Sequence, residues 1–404
     1  MCLKFLTMDS KKMQQETKEM QVFREFASDC STSYITAYSA AKKGYIGYLL
    51  LVSAGIPLNW HHISIIAAGN GHVDILELAI SKGAYNWENI LMSSAMGGYL
   101  NIFNRARFVL SRTREYTLEE TTWEDVLLGA TLGGNMDIFN IALKYSLVPD
   151  WDEIICASAM SGHQKIFTFS YRQPNSVCRK KLITKACIGG NMNIINVVTK
   201  TKLNVILALS ILASTKHKDS FNILMERAKP YYHEIKWDLI VGHAAAASNL
   251  SLVKRLESKV SSRESWKPII LSAVGASLET IEYIMHKHSY LDLDWNKFAV
   301  KAAMIGKYPE VVVYAIEMGA NNYQNIAIAA AKEGNVNILD LISSKIPCWD
   351  KIAKISSDIG NYSCVCTAVS KGATNWNEMI LSTDVDDRHI MITLLIKLRG
   401  AGLH

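Results

Sequence analysis

Apolar and small residues recur along the chain with a period of about 28 residues, and each period reads as two short helices. All nine tryptophans share one register. In most periods a small residue stands seven positions after the start, a glycine eleven and an apolar residue fifteen. The pattern predicts about thirteen helix-turn-helix units, because small residues let helices approach and glycine suits the left-handed end of a helix. The predicted starts are Ser33, Trp60, Trp87, Trp123, Trp151, Arg179, Ile206, Trp237, Trp266, Trp295, Tyr323, Trp349 and Trp376.

The residue before most starts is a preferred helix N-cap, whose side-chain oxygen accepts a backbone N–H and contributes ~1 kcal/mol. Acids such as Glu88, Glu124 and Asp152 follow in the first turn, where they meet the positive end of the helix dipole. The first helix of each unit should therefore begin at the tryptophan. The expected caps are Asn59, Asn86, Thr122, Asp150, Ser265, Asp294, Asn322 and Asn375.

A two-helix unit of this size cannot bury its apolar face alone, so successive units must stack. We expect an all-α protein with an α-solenoid over residues 32–404, degenerate around 203–265 and closed by a terminal cap at 376–404 that includes the acidic stretch 382–389. Residues 1–31 should form a capping helix or a tail. The tryptophans, ~10 Å from their counterparts at helix packing distance, should cover the junction between units rather than bind a ligand.

Composition narrows the class of protein further. A hydrophobic content of 49% and a charged content of 20% are typical of a folded soluble chain. No apolar run approaches the ~20 residues that a membrane helix needs, and the N-terminus lacks the apolar core of a signal peptide. The eight cysteines are irregularly spaced, which argues against a disulfide framework. We expect a cytoplasmic or nuclear protein that is neither secreted nor bound to membranes.

The stretch "AAGNGHVDILELAISKGAYN" at 67–86 resembles the ankyrin repeat, and similar phrases return in "ACIGGNMNII" and "AAAKEGNVNILDLI". The resemblance covers about residues 33–403. It implies helix-turn-helix repeats, but the Thr-Pro-Leu-His opening of the family is missing and the usual unit of 33 residues is shortened to about 28. We therefore expect shortened inter-repeat loops in place of the hairpin fingers of ordinary ankyrin proteins.

This compact Asn-Trp repeat looks like the arrays that large DNA viruses of eukaryotes encode. The resemblance implies a non-enzymatic protein–protein interaction scaffold without a cofactor, directed at a host or viral protein. Its location would be the host cytoplasm or nucleus. A structural component of a virus particle or assembly is the alternative, and nothing in the pattern specifies an oligomeric state.

Charge is unevenly distributed. Residues 154–229 contain twelve bases and two acids, a net charge of +10, whereas the whole chain carries +6. This region is the expected contact surface for an acidic protein partner or, as a weaker alternative, nucleic acid; a solvated face without a partner is the other interpretation. The insertion at 105–118 is a second candidate, as a loop or a longer second helix. The candidate binding residues are Arg179, Lys180, Lys181, Lys185, Lys200, Lys202, Lys216, Lys218, Arg112 and Arg114.

No catalytic or metal-binding pattern is complete in the sequence. His286 and His288 are two positions apart and point to different faces of a helix. Cys364 and Cys366 lack a second cysteine pair and read as packing residues. Phosphate-binding Gly-rich loops and the Gly-x-Ser-x-Gly elbow are also missing. We therefore expect no enzymatic activity and no metal or cofactor.

Overall fold

The computed structural model describes residues 30–55, 57–112, 120–383 and 388–400. Within these ranges every regular element is a helix, so the predicted all-α class is confirmed. The chain divides into two compact units, of which the first ends at Lys200 and the second begins at Thr201. Most of the N-terminal segment, part of the insertion and the acids at 384–387 lie outside the described residues.

The described part of the first unit consists of six consecutive helix pairs. Its helices are α1 (Cys30–Lys43), α2 (Ile46–Ser53), α3 (Trp60–Asn70), α4 (Val73–Ser81), α5 (Trp87–Gly97), α6 (Leu100–Leu110), α7 (Glu120–Gly133), α8 (Met136–Leu143), α9 (Trp151–Ser161), α10 (Gln164–Ser170), α11 (Arg179–Gly189) and α12 (Met192–Val198).

The described part of the second unit consists of seven consecutive pairs. Its helices are α13 (Lys202–Leu212), α14 (Lys218–Ala228), α15 (Trp237–Ala246), α16 (Leu250–Leu256), α17 (Trp266–Ser272), α18 (Leu278–Lys287), α19 (Trp295–Ile305), α20 (Pro309–Glu317), α21 (Tyr323–Lys332), α22 (Val336–Leu341), α23 (Trp349–Ile359), α24 (Tyr362–Ser370), α25 (Trp376–Ser382) and α26 (Arg388–Gly400). Short 3-10 helices occupy Lys229–Glu234, Glu257–Lys259, Ala273–Gly275 and Ser343–Lys345.

In each unit the first helices of neighbouring pairs pack against one another. In the first unit α3 contacts α5, α5 contacts α7, α7 contacts α9 and α9 contacts α11. In the second unit α15 contacts α17, α19 contacts α21, and α21 contacts α23. The small residue seven positions after each start makes this approach possible, because it presents little side chain at the contact. These small residues are all buried, as predicted: Ala67, Ser94, Ala130, Ala186, Ala244, Ala273, Ala302, Ala330 and Ser356.

Most of the predicted helix starts are confirmed. Eight of the nine tryptophans are the first residue of a helix, and Arg179 and Tyr323 start helices in the same register. The ninth, Trp123, lies inside α7, which begins three residues earlier at Glu120. The start predicted near Ile206 was wrong: α13 begins at Lys202, because the Thr201 hydroxyl accepts the Asn204 N–H at 3.4 Å.

Four of the eight expected N-cap residues cap their own helix. The side chains of Asn59, Asp150, Asp294 and Asn322 each accept a hydrogen bond from the backbone N–H three residues on, at 3.0–3.3 Å. Each therefore satisfies one donor that an α-helix leaves without a partner at its N-terminus.

The other four expected N-caps were wrong. Thr122 lies within α7, and the side chains of Asn86, Ser265 and Asn375 make no capping bond to their own helices. Asn86 instead reaches the preceding helix pair, where its Nδ2 donates to the carbonyl of His61 at 3.1 Å. This side chain bonds a neighbouring pair because stacking places an acceptor of that pair within its reach.

A glycine turn joins the two helices of most pairs. At Gly134 the backbone φ is +74°, and a Cβ there would lie 2.3 Å from the imidazole of His163 in the next pair. His163 Nε2 lies 2.8 Å from the carbonyl oxygen of Leu132, near the end of α7. In the next pair Asn191 Nδ2 donates to the carbonyl of Gly162 at 2.8 Å. The predicted turn glycines all have positive φ: Gly44, Gly71, Gly98, Gly134, Gly162, Gly190, Gly306, Gly334 and Gly360.

All nine tryptophans are described, and each is buried or half-buried. Their packing role agrees with the prediction, but the neighbour differs. Trp123 stacks on Tyr145, with ring centroids 4.5 Å apart, and Trp266 stacks on His288 at 4.0 Å. Both partners follow the second helix of the same pair. These two indoles thus pack against an aromatic side chain of their own pair, whereas the indole of Trp237 contacts Tyr232 in the 3-10 helix that precedes α15.

Candidate protein-interaction surface

Helix α11 carries the densest group of the predicted binding residues. Its sequence contains four bases and no acid. Arg179, Lys180 and Lys181 are exposed in its first turn, and Lys185 is half-buried one turn later. Cations at a helix N-terminus oppose the helix dipole. Because these charges oppose the dipole of their own helix, they are candidates for contact with another molecule.

Two contacts position the bases of α11. Arg179 Nη1 donates to the hydroxyl of Tyr171 at 3.0 Å. Lys185 Nζ lies 3.6 Å from Met160 Sδ on α9. A sulfur atom is a weak acceptor, so the ammonium charge of Lys185 stays uncompensated by this contact.

Asp152, the acid whose pKa the charge of Lys181 lowers, already accepts two hydrogen bonds. Asp152 Oδ2 accepts the hydroxyl of Ser176 at 2.6 Å, and Oδ1 accepts the Ser176 N–H at 2.8 Å. The hydroxyl bond, the backbone bond and the charge of Lys181 together hold the pKa of this carboxyl below its usual value. Asp152 therefore remains ionised, but its oxygens face the segment before α11.

Cys178 lies at the N-cap position of α11 and is exposed. The backbone N–H groups of Lys181 and Lys180, followed by the charges of the same two lysines, hold the pKa of this thiol below its usual value. The sequence interpretation assigned no property to this cysteine. The signal was present, since a cysteine directly before a run of bases at a helix start is the arrangement that favours a thiolate.

The remaining candidate residues are spread over both units. Lys200 is exposed after α12 in the first unit. In the second unit Lys202 forms an ion pair with Glu234 and lies 5.5 Å from the ring centroid of Tyr231, so its charge is compensated. Lys216 and Lys218 are exposed around the start of α14. The region 154–229 is therefore not one element of the fold, because it crosses from one compact unit into the other.

The insertion contributes little that the structure describes. Helix α6 ends at Leu110, and Arg112 places its guanidinium carbon 4.4 Å from the ring centroid of Phe108. Arg114 falls outside the described residues. Of the insertion at 105–118, the second helix therefore includes the residues up to Leu110.

Sequence reasoning missed a groove in the second unit. It lies between α15 and α17 and has a volume of about 540 Å³. No motif marks it, because its two walls come from helices about thirty positions apart in the sequence.

Within the described ranges, no three His, Cys, Asp or Glu side chains meet in an arrangement that could hold a metal ion. Cys364 is buried, and burial raises its pKa to about 11, in agreement with the packing role expected for it. None of the helices in the part of the chain that the structure describes has the length and apolar character needed to cross a bilayer. No protein-family model matches the sequence, and the comparison with curated proteins finds no match.

Proposed function

We propose that this chain is an ankyrin-like repeat solenoid that acts as a non-enzymatic scaffold and binds a protein partner. The support comes from the stacking of first helices within each unit, the glycine turns and the short connections between pairs. Repeats of this kind stack in one direction and form extended binding surfaces. The likeness to viral repeat arrays points to a host or viral protein as the partner.

The observation that carries the proposal is the group of bases in the first two turns of α11. Three exposed bases and a fourth that is half-buried lie within two turns of one helix that contains no acid. A surface of one sign attracts a partner of the opposite sign and speeds its association. The partner is therefore an acidic surface or an acidic segment of a protein.

A charge-reversal experiment tests this role. In the triple variant Lys180→Glu, Lys181→Glu and Lys185→Glu, capture of the partner from a native cell lysate should fall by tenfold or more. Acids in a first turn stabilise a helix, so the variant should stay folded, which thermal unfolding followed by circular dichroism verifies. Capture of the same proteins by variant and wild type would refute the proposal for this surface.

The matched control reverses three exposed lysines elsewhere in the first unit: Lys42→Glu, Lys82→Glu and Lys144→Glu. It changes the net charge by the same amount, so capture should be retained if the position of the bases matters. Equal loss in both triple variants would indicate a general charge effect and no defined contact surface.

Nucleic acid is a second candidate partner, because the same bases would bind phosphates. In that case the affinity for duplex DNA or single-stranded RNA should fall steeply between 50 and 200 mM salt, by ~10³-fold for about six phosphate contacts. A weak interaction with flat salt dependence would exclude this candidate and leave the protein partner.

A further inference from the structure

The groove between α15 and α17 combines an apolar floor with a basic rim. Trp237, Leu239 and Gly242 line it from α15, and Pro268 and Ser272 line it from α17. Its volume of about 540 Å³ lies within the ~300–1,000 Å³ of pockets that enclose compact ligands. We call it the α15–α17 groove.

Two facing positions of the groove, Gly242 and Ser272, carry small side chains. Gly242 is five residues after the start of α15, and Val300 and Ile328 at the same position of α19 and α21 line a comparable space of about 620 Å³. A Cβ at Gly242 would lie 3.3 Å from Ser272 Oγ, so the two helices are in close contact at this level. Ser272 Oγ donates to the carbonyl of Gly242 at 3.1 Å and is thereby held against α15.

The floor of the groove offers apolar surface to an incoming side chain. Leu239 is 52% exposed, although the apolar residues beside it, Ile235 and Ile269, are buried. Trp237 adds the surface of a half-buried indole, whose Nε1 is used in a 3.2 Å bond to the carbonyl of Tyr232. Covering an exposed leucine and an indole gains ~25 cal/mol per Å² of apolar area. The floor therefore suits one large apolar side chain.

The rim determines the charge of the occupant. Lys236 and Lys259 are exposed on it. Its carboxylate, Asp238, already accepts three hydrogen bonds: from the Ser261 N–H at 2.9 Å, the Ser261 hydroxyl at 2.6 Å and the Ser265 hydroxyl at 2.7 Å. The acidic atoms of the groove are thus turned toward the connection before α17. Lys259 Nζ lies 5.7 Å from the ring centroid of Tyr232, a contact with no counter-charge, so both lysines present positive charge to a ligand.

We propose that the α15–α17 groove binds a segment of a partner protein in which one large apolar side chain is flanked by Asp or Glu. The apolar side chain occupies the floor, and the flanking carboxylates pair with Lys236 and Lys259. Anchors of this kind supply most of the binding energy at protein interfaces, with charged pairs at the rim adding specificity. This inference rests on the proposed scaffold function. The α15–α17 groove lies in the second unit, whereas α11 belongs to the first.

Selection from a displayed library of random twelve-residue peptides on the full chain tests the proposal. The enriched peptides should share a large apolar residue with Asp or Glu on either side. Synthetic fluorescent copies should bind in an anisotropy titration, and binding should weaken at least tenfold in Leu239→Glu and in Lys236→Glu/Lys259→Glu. Enrichment of no peptide, or of peptides without this pattern, would overturn the proposal.

Matched controls separate the groove from general surface effects. Leu341→Glu changes a leucine that is 47% exposed on α22, and Lys371→Glu changes an exposed lysine after α24. Both should leave the peptide affinity within about twofold of wild type, and circular dichroism should show equal folding in all variants. Equal affinity in the groove variants and these controls would contradict the assignment.

The two proposals fail separately. If the α11 triple variant loses its captured partner while the selected peptides ignore the groove variants, the scaffold function stands and the groove inference falls. If the groove variants lose the peptides while the α11 variant captures normally, the groove stands and the role of α11 falls. Loss of self-association in Leu239→Glu, measured by sedimentation, would identify a second copy of the chain as the occupant and also overturn the inference.

Discussion

The carboxylate of Asp152, in the first turn of α9, accepts two hydrogen bonds from Ser176, in the segment that leads into α11. The same geometry recurs in the second unit between Asp238 of α15 and Ser261, with distances of 2.9 and 2.6 Å. The first-turn acid is therefore more than a partner for the helix dipole. It fastens the short connection that precedes the next helix pair.

Removal of this acid should destabilise the second unit. Asp238→Ala leaves the Ser261 N–H and two hydroxyl groups without their acceptor, and bonds to charged groups contribute ~1.5–3 kcal/mol each when buried. Because Asp238 is only half-buried and Ser261 is exposed, we expect a loss of only about 1 kcal/mol in the free energy of unfolding. Urea unfolding at pH 7 measures it, with Asp340→Ala, an exposed acid on α22, as the control.

The same variant should reveal a pH dependence. Partial burial raises the pKa of Asp238, but the hydrogen bonds from Ser261 and Ser265 outweigh it and hold the pKa below the ordinary value of 3.8. The stabilisation is then fully present above the ordinary pKa and is lost as the pH falls through the lowered one. The difference in unfolding free energy between wild type and Asp238→Ala should shrink below about pH 4. A difference that is constant from pH 7 to pH 3 would contradict this origin.

Two glycine turns should respond differently to the same substitution. Gly134 and Gly360 have φ of +74° and +76°, so alanine meets the same backbone penalty of ~1 kcal/mol at either position. A Cβ at Gly134 also collides with His163, which its 2.8 Å contact with Leu132 holds in place, whereas the space around Gly360 is open to 4 Å. Gly134→Ala should therefore cost about 1–3 kcal/mol more than Gly360→Ala. Equal thermal midpoints would show that His163 moves freely.

A buried hydroxyl in the second unit should be dispensable. Ser356 occupies the small-residue position of α23, is fully buried, and its Oγ has no hydrogen-bond partner in the structure. An unsatisfied buried hydroxyl costs ~1–3 kcal/mol, so Ser356→Ala should raise the free energy of unfolding. Ser94→Ala is the control, because the Ser94 hydroxyl donates to the Leu91 carbonyl at 2.8 Å. Greater stabilisation by the control than by Ser356→Ala would argue against the unsatisfied hydroxyl.

Cys178 should react fastest among the six cysteines whose side chains the structure describes. It is exposed, and the N–H groups of Lys181 and Lys180 lower its pKa, whereas burial raises the pKa of Cys187 to about 12. With iodoacetamide at pH 7, peptide mapping should find Cys178 modified first and Cys187 unmodified in the folded chain. Lys180→Glu/Lys181→Glu should slow the reaction at Cys178. An unchanged rate would leave the backbone N–H groups as the sole cause.

Much of the fold was predictable because its signals are local. A glycine needed at φ of +74°, a small residue at a helix contact and a tryptophan at a helix start repeat at the same spacing, so Gly134, Ala130 and Trp151 could be assigned without any long-range information. The caps were harder, because the Asn86 side-chain oxygen can accept either an N–H of its own helix or the Ser64 hydroxyl of the preceding pair, and it accepts the Ser64 hydroxyl at 3.0 Å.

The candidate surface was predictable only in part. Charge along the sequence identified the bases of α11, whose exposure the structure describes. It could not show that Lys202 is paired with Glu234, since that ion pair joins positions more than thirty residues apart. The division into two compact units after Lys200 was not predicted, although the repeat pattern becomes degenerate from about residue 203.

The helices, their turns and the residues that face the core follow from the sequence, because each depends on propensities and periodicities within one repeat of about 28 residues. Contacts between helix pairs set which polar side chains bond to neighbouring pairs and where the surface opens into a groove. Both depend on side chains from different pairs meeting in space, as Asp238 meets Ser261 and Gly242 meets Ser272. The helices of each repeat therefore depend on its own sequence, whereas its surface depends on contacts with the neighbouring pairs.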